Sequence, residues 1–294
     1  MAKARALDKR RKSIKNIRKI TRTMELVSTA QFRRAMDRAI SAESYTRKVV
    51  QLVSNLARTG LEISHPLLEE RPEVKTSVLL VLTANRGMCG GYNSGILRMA
   101  LAKKKELAEL CPDNRLHVSG KRGISFMKYH GAALERTFTQ FDHKPTYEEV
   151  SELADWYLDA YRAGKIDRLE VAYSKFVSMS KQYPVVETLL PLGEMTSGDE
   201  KDSQGESAAV PYEFLPSPQS LLEEIVPMAF KIKLFKCFLD AAVSEQIARM
   251  VAMKAATENA DSIIKNLTTT YNRARQSQIT NEIIEVISGA AALQ

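Results

Sequence analysis

The stretch IVPMAFKIKLFKCFLDAA, residues 225–242, decides the fold of this 294-residue chain. Its apolar side chains recur at alternating steps of three and four residues, which is the spacing of a coiled-coil seam. They are Ile225, Met228, Ile232, Phe235, Leu239 and Ala242. The seam belongs to a helix predicted over residues 217–294, and a helix of roughly 70 residues would span about 105 Å. That length exceeds the diameter of an ordinary domain, so something else has to house the far end of the helix.

The amino end of the chain repeats this pattern. Ile17, Ile20, Met24 and Val27 follow the same step, and no proline occurs between residues 1 and 64. We therefore predict a helix over residues 1–64 that pairs with the helix at the carboxyl end. Two helices so far apart in sequence can pair only if the residues between them fold as an insertion. The sequence thus predicts a rod with a globular domain.

Residues 75–192 alternate between strand and helix patterns, as in an α/β domain. The predicted strands are SVLLVLT (77–83), RLHVS (115–119), RLEVAYSKFVS (168–178) and an edge strand around Pro184. The predicted helices run from Ile96 to Leu110, through SFMKYHG (125–131), and from a capping box at Thr146 and Glu149 to a stop at Gly164. The alternation predicts a parallel or mixed sheet with helices on both faces. The polar, acidic residues 193–216 predict a flexible loop.

Positive charge is concentrated at the amino end. Residues 1–60 hold 16 Lys or Arg and 4 Asp or Glu, whereas the whole chain carries only +8. A nucleic-acid arm, a mitochondrial transit peptide and a solvated or partner-facing helix all fit such a segment. The apolar step continues well beyond any plausible cleavage point, and base-stacking aromatics are missing among the basic residues. The partner-facing or solvated helix is therefore the favoured interpretation.

If the chain were an enzyme, its nucleotide-binding or catalytic site would be expected at a loop with four glycines, NRGMCGGYNSG (residues 85–95). It contains neither G-x-G-x-x-G nor G-K-[ST], so a tight turn that binds no nucleotide is the favoured interpretation. Cys89 in this loop could be a nucleophile, but His65, His117, His130 and His143 supply no partner signature, and a buried thiol is the commoner outcome. The three scattered cysteines indicate reduced thiols with neither disulfide framework nor zinc spacing. We predict no catalytic residue, no cofactor and no metal.

Five segments together resemble the gamma subunit of F-type ATP synthases. They are KSIKNIRKITRTMELV (12–27), NRGMCGGYN (85–93), YSKFVS with LLPL (173–178 and 189–192), SEQIARMVAMKAATENA (244–260) and YNRARQSQITNEIIEVISGAAAL (271–293). The ending carries I-T-x-E-x-x-E-x-x-x-G-A, from Ile279 and Thr280 to Gly289 and Ala290, which is specific to that family. The resemblance covers both ends and the middle of the chain.

The resemblance implies an α+α/β fold, in which a long antiparallel coiled coil of the end helices carries an inserted Rossmann-like α/β domain. It also implies a non-catalytic rotor shaft inside a ring of three alpha and three beta subunits, with the α/β domain against the epsilon subunit and the membrane c-ring. Contact with the membrane would then be only through the c-ring, on the cytoplasmic face of the bacterial inner membrane. No nucleic acid is involved in this scheme.

The resemblance also assigns contact residues for the alpha/beta hexamer. Arg275 and Gln276 fall where the shaft hydrogen-bonds a loop of one beta subunit, although a solvated Arg275 remains an alternative. Met24 falls where the amino-terminal helix passes the catalytic subunits, or is a simple seam residue. Ala290 and Ala291 belong to a tip that has no charged side chain after Glu285. A neutral tip would suit rotation inside a sleeve of six subunits; an ordinary fraying terminus is the alternative.

Two positions depart from the family pattern. Asn85 stands where Asp is usual, and Phe214, Leu215 and Pro216 replace an aromatic-Glu-Pro sequence, which puts one c-ring contact in doubt. Without the resemblance, composition and periodicity would also fit a cytosolic coiled-coil adaptor that binds nucleic acid through residues 3–22.

Overall fold

The computed structural model describes residues 2–58, 66–68, 71, 73–141, 144–192 and 218–292. The loop predicted over residues 193–216 lies outside the described residues, as do His65 and His143. The helices are α1 (Ala2–Arg58), α2 (Tyr92–Leu110), α3 (Lys121–Tyr129), α4 (Tyr147–Arg162) and α5 (Pro218–Ala292). The strands are β1 (Thr76–Leu82), β2 (Asp113–Ser119), β3 (Arg136–Phe138), β4 (Arg168–Ser178) and β5 (Lys181–Leu190).

The chain divides into two compact units. One consists of Met1–Thr29 together with Arg249–Gln294, and the other is Ala30–Ala248. The first unit is an antiparallel helix pair, and the second holds the sheet and the helices packed on it. The fold class is therefore the one predicted, α+α/β.

The sheet of the second unit has the strand order β3-β2-β1-β4-β5. The first four strands are parallel, and β5 runs antiparallel to β4 as the edge strand predicted around Pro184. This order is that of a doubly wound domain. Strand β1 alternates its side chains between two cores: Leu79 and Val81 pack with α2 and α3, while Val78 and Leu80 pack with α4 and α5. The prediction of a mixed sheet with helices on both faces is confirmed.

Local signals placed most elements correctly. Helix α4 begins at the capping box, in which the Thr146 hydroxyl accepts from the Glu149 amide while the Glu149 carboxylate accepts from the Thr146 amide. Gly164 follows its last turn with a φ of +69°, the left-handed conformation that suits glycine after a helix. Strand β3, with only 3 residues, is too short to leave a pattern in the sequence, and it was not predicted.

The seam predicted over residues 225–242 needs a correction. A different face of α5 packs into the larger core of the domain, through Val226, Phe230, Leu234, Cys237, Phe238 and Ala241. Met228, which was assigned to the seam, is 38% exposed. Within this unit, α5 meets α1 farther along, where Val243 and Ile247 pack on Phe32 and Ala35. The segment is apolar on several sides, so its three-four step alone did not reveal which side faces which partner.

The seam predicted on α1 also needs a correction, because the helix pair of the first unit buries a different side of α1. The covered positions of α5 follow steps of four and three: Met253, Thr257, Ala260, Ile264, Leu267, Tyr271, Ala274 and Gln278. On α1 the covered positions include Leu7, Ile14, Thr21 and Ser28, each seven residues from the next. Ile17, Ile20 and Val27 are instead 46%, 59% and 50% exposed, and Met24 is half-buried. The prediction was wrong for Ile17, Ile20 and Val27 because polar residues occupy part of the buried side of α1, while a second apolar stripe faces outward.

Three side-chain contacts tie α1 to α5 in this unit. The Arg11 guanidinium lies 4.8 Å from the centre of the Tyr271 ring, Arg18 Nε lies 2.5 Å from Asp261 Oδ1, and the hydroxyls of Thr21 and Thr257 are 2.9 Å apart. Along these three pairs the residue number increases on α1 and decreases on α5. The two helices are therefore antiparallel.

A buried histidine joins the sheet to α4. The Nδ1 atom of His117 lies 2.8 Å from the Tyr157 hydroxyl, and its Nε2 atom lies 2.9 Å from Glu135 Oε2. Burial raises the pKa of Tyr157, which keeps its hydroxyl a donor. The hydroxyl therefore donates to Nδ1, and Nε2–H donates to the carboxylate, which fixes one neutral tautomer of His117.

This arrangement predicts acid sensitivity of the domain. Burial is the main cause that lowers the pKa of His117, against the opposing effect of Glu135. Unfolded histidine titrates near pH 6.5, so below that pH the unfolded chain binds a proton that the folded chain does not. Stability should therefore be highest above about pH 6.5 and fall as the pH drops towards the folded pKa. Urea unfolding followed by the fluorescence of Trp156, the one tryptophan, measures this.

The matched control is His117→Gln, which cannot titrate. Its free energy of unfolding should be lower at neutral pH but should change less between pH 7.5 and 5.5 than that of the parent chain. Parallel pH profiles for the two proteins would contradict the assignment.

Candidate functional site

The candidate site is the outer surface of the helix pair. On α1 the apolar side chains of Ile17, Ile20 and Val27 form an exposed stripe with the helical step of three and seven residues. Near the carboxyl end of α5 the exposed apolar side chains are Ile279, Ile283, Ile284, Val286 and Ile287, which are between 44% and 72% exposed. Monomeric proteins rarely expose contiguous apolar surface of this kind unless it binds a partner. The geometry thus indicates a surface for protein contact on both helices.

Two of the four contact residues predicted on α5, Gln276 and Ala290, share one face of that helix with exposed isoleucines. Gln276, Ile279, Ile283, Ile287 and Ala290 follow steps of three and four, so they line up along the helix axis. Arg275 and Gln276 are both exposed, and so are Ala290 and Ala291. Gln276 and Ala290 therefore lie along an apolar stripe, whereas Arg275 and Ala291 are each turned about 100° from their neighbour in that row.

Met24 lies far from the predicted contact residues of α5. It lies on α1, half-buried, and the pairing of Thr21 with Thr257 places it opposite a position about 20 residues from Arg275 along α5. At about 1.5 Å per residue, the separation along the axis is roughly 30 Å. Sequence reasoning missed Ile17, Ile20 and Val27 as surface residues because it assigned them to the seam. The four-three repeat from Met253 to Gln278 is the signal that could have identified the true seam first.

The basic side chains of α1 are mostly on its exposed side. Arg5, Lys9, Arg10, Lys15 and Lys19 are all exposed. A few basic side chains make ion pairs, such as Arg22 with Glu25 on the same helix and Arg18 with Asp261 of α5. The helix thus presents apolar and cationic groups to its surroundings together.

The α/β domain has the crevice in which doubly wound folds bind cofactors, at the carboxyl ends of β1 and β4 where the strand order reverses. Helix α5 occupies it. Its Phe238, Ala241 and Ala242 line the crevice, and the Tyr92 hydroxyl donates to the Ala241 carbonyl at 3.1 Å. The space that remains is about 20 Å³, which is room for about one water molecule.

The glycine loop beside this crevice is held by its own side chains. Asn85 accepts from the Lys121 amide and donates to the Thr139 carbonyl, and Asn93 accepts from the Ala84 amide. The Cys89 thiol is buried and lies 3.1 Å from Asn93 Nδ2. These hydrogen bonds hold the loop against the domain, so the polar side chains of the loop stabilise the turn itself.

Within the described ranges, no three His, Cys, Asp or Glu side chains gather as a metal site would need. Nor does any described helix combine the length and the apolar character that crossing a membrane requires.

Comparison with known proteins gives matches along the whole chain. A family model described as ATP synthase matches residues 3–293. The ATP synthase gamma chain of Rhodopirellula baltica is 58% identical over 297 residues, and that of Leptospira biflexa is 39% identical over 293 residues; each match covers 100% of both chains.

Solved structures share the fold at lower identity. A chain of the Euglena gracilis mitochondrial ATP synthase rotor is 20% identical with a TM-score of 0.62, and the match covers 95% of this chain and 99% of that one. A chain from the central stalk and c-ring structure of the Tetrahymena thermophila enzyme is 17% identical with a TM-score of 0.55, covering 81% and 99%.

The filled crevice predicts that the isolated chain neither binds ATP with useful affinity nor hydrolyses it. The adenine and phosphates have no room beside Phe238 and Ala241, and the sequence has no Walker loop to cradle phosphates. Calorimetric titration of the pure chain with ATP and magnesium should give no heat of binding. A micromolar affinity for ATP would contradict the conclusion that α5 leaves no room for a nucleotide in the crevice.

Proposed function

We propose a function on the premise that this chain belongs to the ATP synthase gamma-chain family. It is the central rotor shaft of an F-type ATP synthase, which couples proton-driven rotation of the c-ring to conformational changes at the catalytic sites of the alpha/beta hexamer. The observation that carries this proposal is the full-length match to gamma chains in a protein whose helix pair exposes apolar stripes. The relatives give no support to the alternative of a nucleic-acid-binding adaptor.

The apolar stripes support a shaft that is enclosed by other subunits. Removing a Val, Leu or Ile side chain from water gains about 1.5–3 kcal/mol, so the stripes on α1 and α5 favour burial against a partner. A ring of three alpha and three beta subunits supplies such a surface. The exposed Lys and Arg side chains of α1 would then face the same ring of subunits.

Catalysis takes place in the alpha/beta ring, and the orientation of the shaft determines the conformation of each catalytic site. Since the shaft has no threefold symmetry, each catalytic subunit contacts a different side of it at any moment. Differences in contact energy bias each site towards one of its conformations, so the orientation of the shaft decides which site is open and which is tight. The chain itself acts as a non-catalytic subunit, which agrees with the filled crevice of its α/β domain.

The α/β domain serves as the anchor of the shaft. We assign residues 75–192 to the contact with the epsilon subunit and the c-ring, in line with the partners implied by the family. The helix pair of residues 2–29 and 249–292 then forms the coiled coil. The chain would lie at the cytoplasmic face of a bacterial inner membrane as a peripheral protein, reaching the membrane only through the c-ring.

Purification of the complex tests this assignment. Membranes of the source organism, solubilised in mild detergent, should yield this chain together with alpha, beta and epsilon subunits. Its recovery without large ATPase subunits would contradict the proposed function.

Arg275 and Gln276 are proposed to hydrogen-bond a loop of one beta subunit. Both side chains are exposed on the face that carries Ile279 and Ile283. The planar guanidinium suits such a contact because it can pair with a carboxylate through two parallel hydrogen bonds.

Replacing Arg275 and Gln276 together by Ala should weaken the coupling of shaft angle to site state. The charged contact alone is worth about 1.5–3 kcal/mol, so ATPase activity and proton pumping of the assembled complex should fall while its gamma content stays normal. The matched control is Ser277→Ala with Asn281→Ala, two exposed residues on the side of the helix turned away from Ile279 and Ile283. Unchanged turnover of the first variant would show that these positions are not the contact.

The carboxyl tip is proposed to turn inside the sleeve of the hexamer. A tip that meets every face in turn would leave a charge unpaired at some angles, and the exposed residues Ala290 and Ala291 carry none. An unpaired carboxylate in an apolar sleeve costs several kcal/mol.

The double change Ala290→Asp and Ala291→Asp should therefore reduce the assembled yield or the ATPase activity. The control is the double change to Asn, which has the size of Asp without its charge and should be milder. Both are measured on complexes purified side by side. Wild-type behaviour of the Asp variant would mean that the tip is not enclosed.

A further inference from the structure

A cleft of about 580 Å³ lies between α1, α4 and α5 within the second unit. Its apolar wall is formed by Met228, Ile232 and Phe235 of α5, and by Tyr147 of α4, whose ring centre lies 5.6 Å from that of Phe235. Met228 and Tyr147 are 38% and 42% exposed, so solvent reaches this wall. Largely apolar clefts of about 300–1,000 Å³ are the usual sites for small molecules.

Arg38 of α1 lines the same cleft and has an unmet hydrogen-bond donor. Its Nε donates to the Arg34 carbonyl at 3.0 Å, whereas its Nη1 is buried and has no acceptor among the described residues. Burial lowers the pKa of Arg38, because the charged form is poorly hydrated there. A buried charged donor without an acceptor is costly, so an acceptor supplied from outside the chain would be bound favourably.

Asp37 is the other charged residue among the described ones that line the cleft. Its side chain is exposed, so water already hydrates its carboxylate. Its negative charge repels a dianion such as a phosphate more strongly than it repels a single carboxylate. The planar guanidinium of Arg38 also matches the geometry of a carboxylate. The lining therefore favours a ligand with an apolar body and one carboxylate.

We propose that this cleft binds an apolar monocarboxylate, such as a medium-chain fatty acid. The tail lies on the wall of Met228, Ile232 and Phe235, and the head group accepts from Arg38. A bound molecule joins α1, α4 and α5 within residues 30–248. This site does not depend on the proposed function, because the residues that form it all belong to this chain.

Calorimetric titration of the purified full-length chain with octanoate, octan-1-ol and octylammonium compares three head groups on one tail. Octanoate should bind at one saturable site. The other two should bind at least about tenfold more weakly, because they cannot accept a charge-assisted hydrogen bond from Arg38. From hexanoate to decanoate, each kept below its micelle-forming concentration, every added CH₂ should strengthen binding by up to about fourfold.

The variant Arg38→Met keeps an unbranched side chain in the cleft and removes the charge. It should weaken octanoate binding at least about tenfold and leave the weaker binding of octan-1-ol unchanged. Its Tm without ligand should equal or exceed that of the parent, since an unmet buried donor is removed. The matched control is Arg34→Met, because Arg34 is exposed, lies one turn away on α1 and is not among the residues that line the cleft.

Photo-crosslinking locates the site in the parent chain without any substitution. A decanoate analogue with a diazirine on its tail should label the segment from Met228 to Phe235, and an excess of octanoate should remove that label. Label confined to the exposed isoleucines of the helix pair would overturn the proposal.

Three calorimetric results would overturn it as well. The first is that the parent chain binds no octanoate, or binds it no more tightly than octan-1-ol. The second is that Arg38→Met binds octanoate like the parent. The third is that octylammonium binds more tightly than octanoate, which would assign the charge preference of the site to Asp37.

Discussion

The packing of α5 into the crevice of the sheet is the contact on which the rest of the molecule depends. Phe238 and Ala241 lie where a doubly wound domain of this strand order would hold a cofactor. The Tyr92 hydroxyl, beside the glycine loop, bonds the backbone of the same helix. The position where such folds bind a ligand is thereby filled by a helix of the same chain.

A second constraint is that each long helix has to satisfy several neighbours at once. Between residues 225 and 247, α5 packs on the domain with one face and on Phe32 and Ala35 of α1 with another. In the helix pair of the other unit, the seam is partly polar, while other isoleucines face outward. The proposed function assigns the outward apolar surface to contact with the ring of alpha and beta subunits.

The sequence predicted the architecture well and the helix faces poorly. The capping box at Thr146, the buried strand of β1 and the edge strand at Pro184 each depend on local chemistry, and each was placed correctly. The three-four step is shared by a seam and by an outward stripe, so Ile17, Ile20 and Val27 were assigned to the wrong side of α1. Only the partner helix resolves that ambiguity, since Thr21 is opposite Thr257. The contact roles of Arg275, Gln276, Ala290 and Ala291 depend on subunits outside this chain, and they stay predictions.

Hydroxyl-radical footprinting of the chain, alone and within the purified complex, tests the central claim that the outward stripes are covered by the ring. Ile17, Ile20, Ile283 and Val286 should be oxidised readily in the isolated chain and strongly protected in the complex. Exposed side chains of the anchoring domain such as Tyr129, 89% exposed, provide the comparison. Equal oxidation of the stripe residues in both samples would contradict the account.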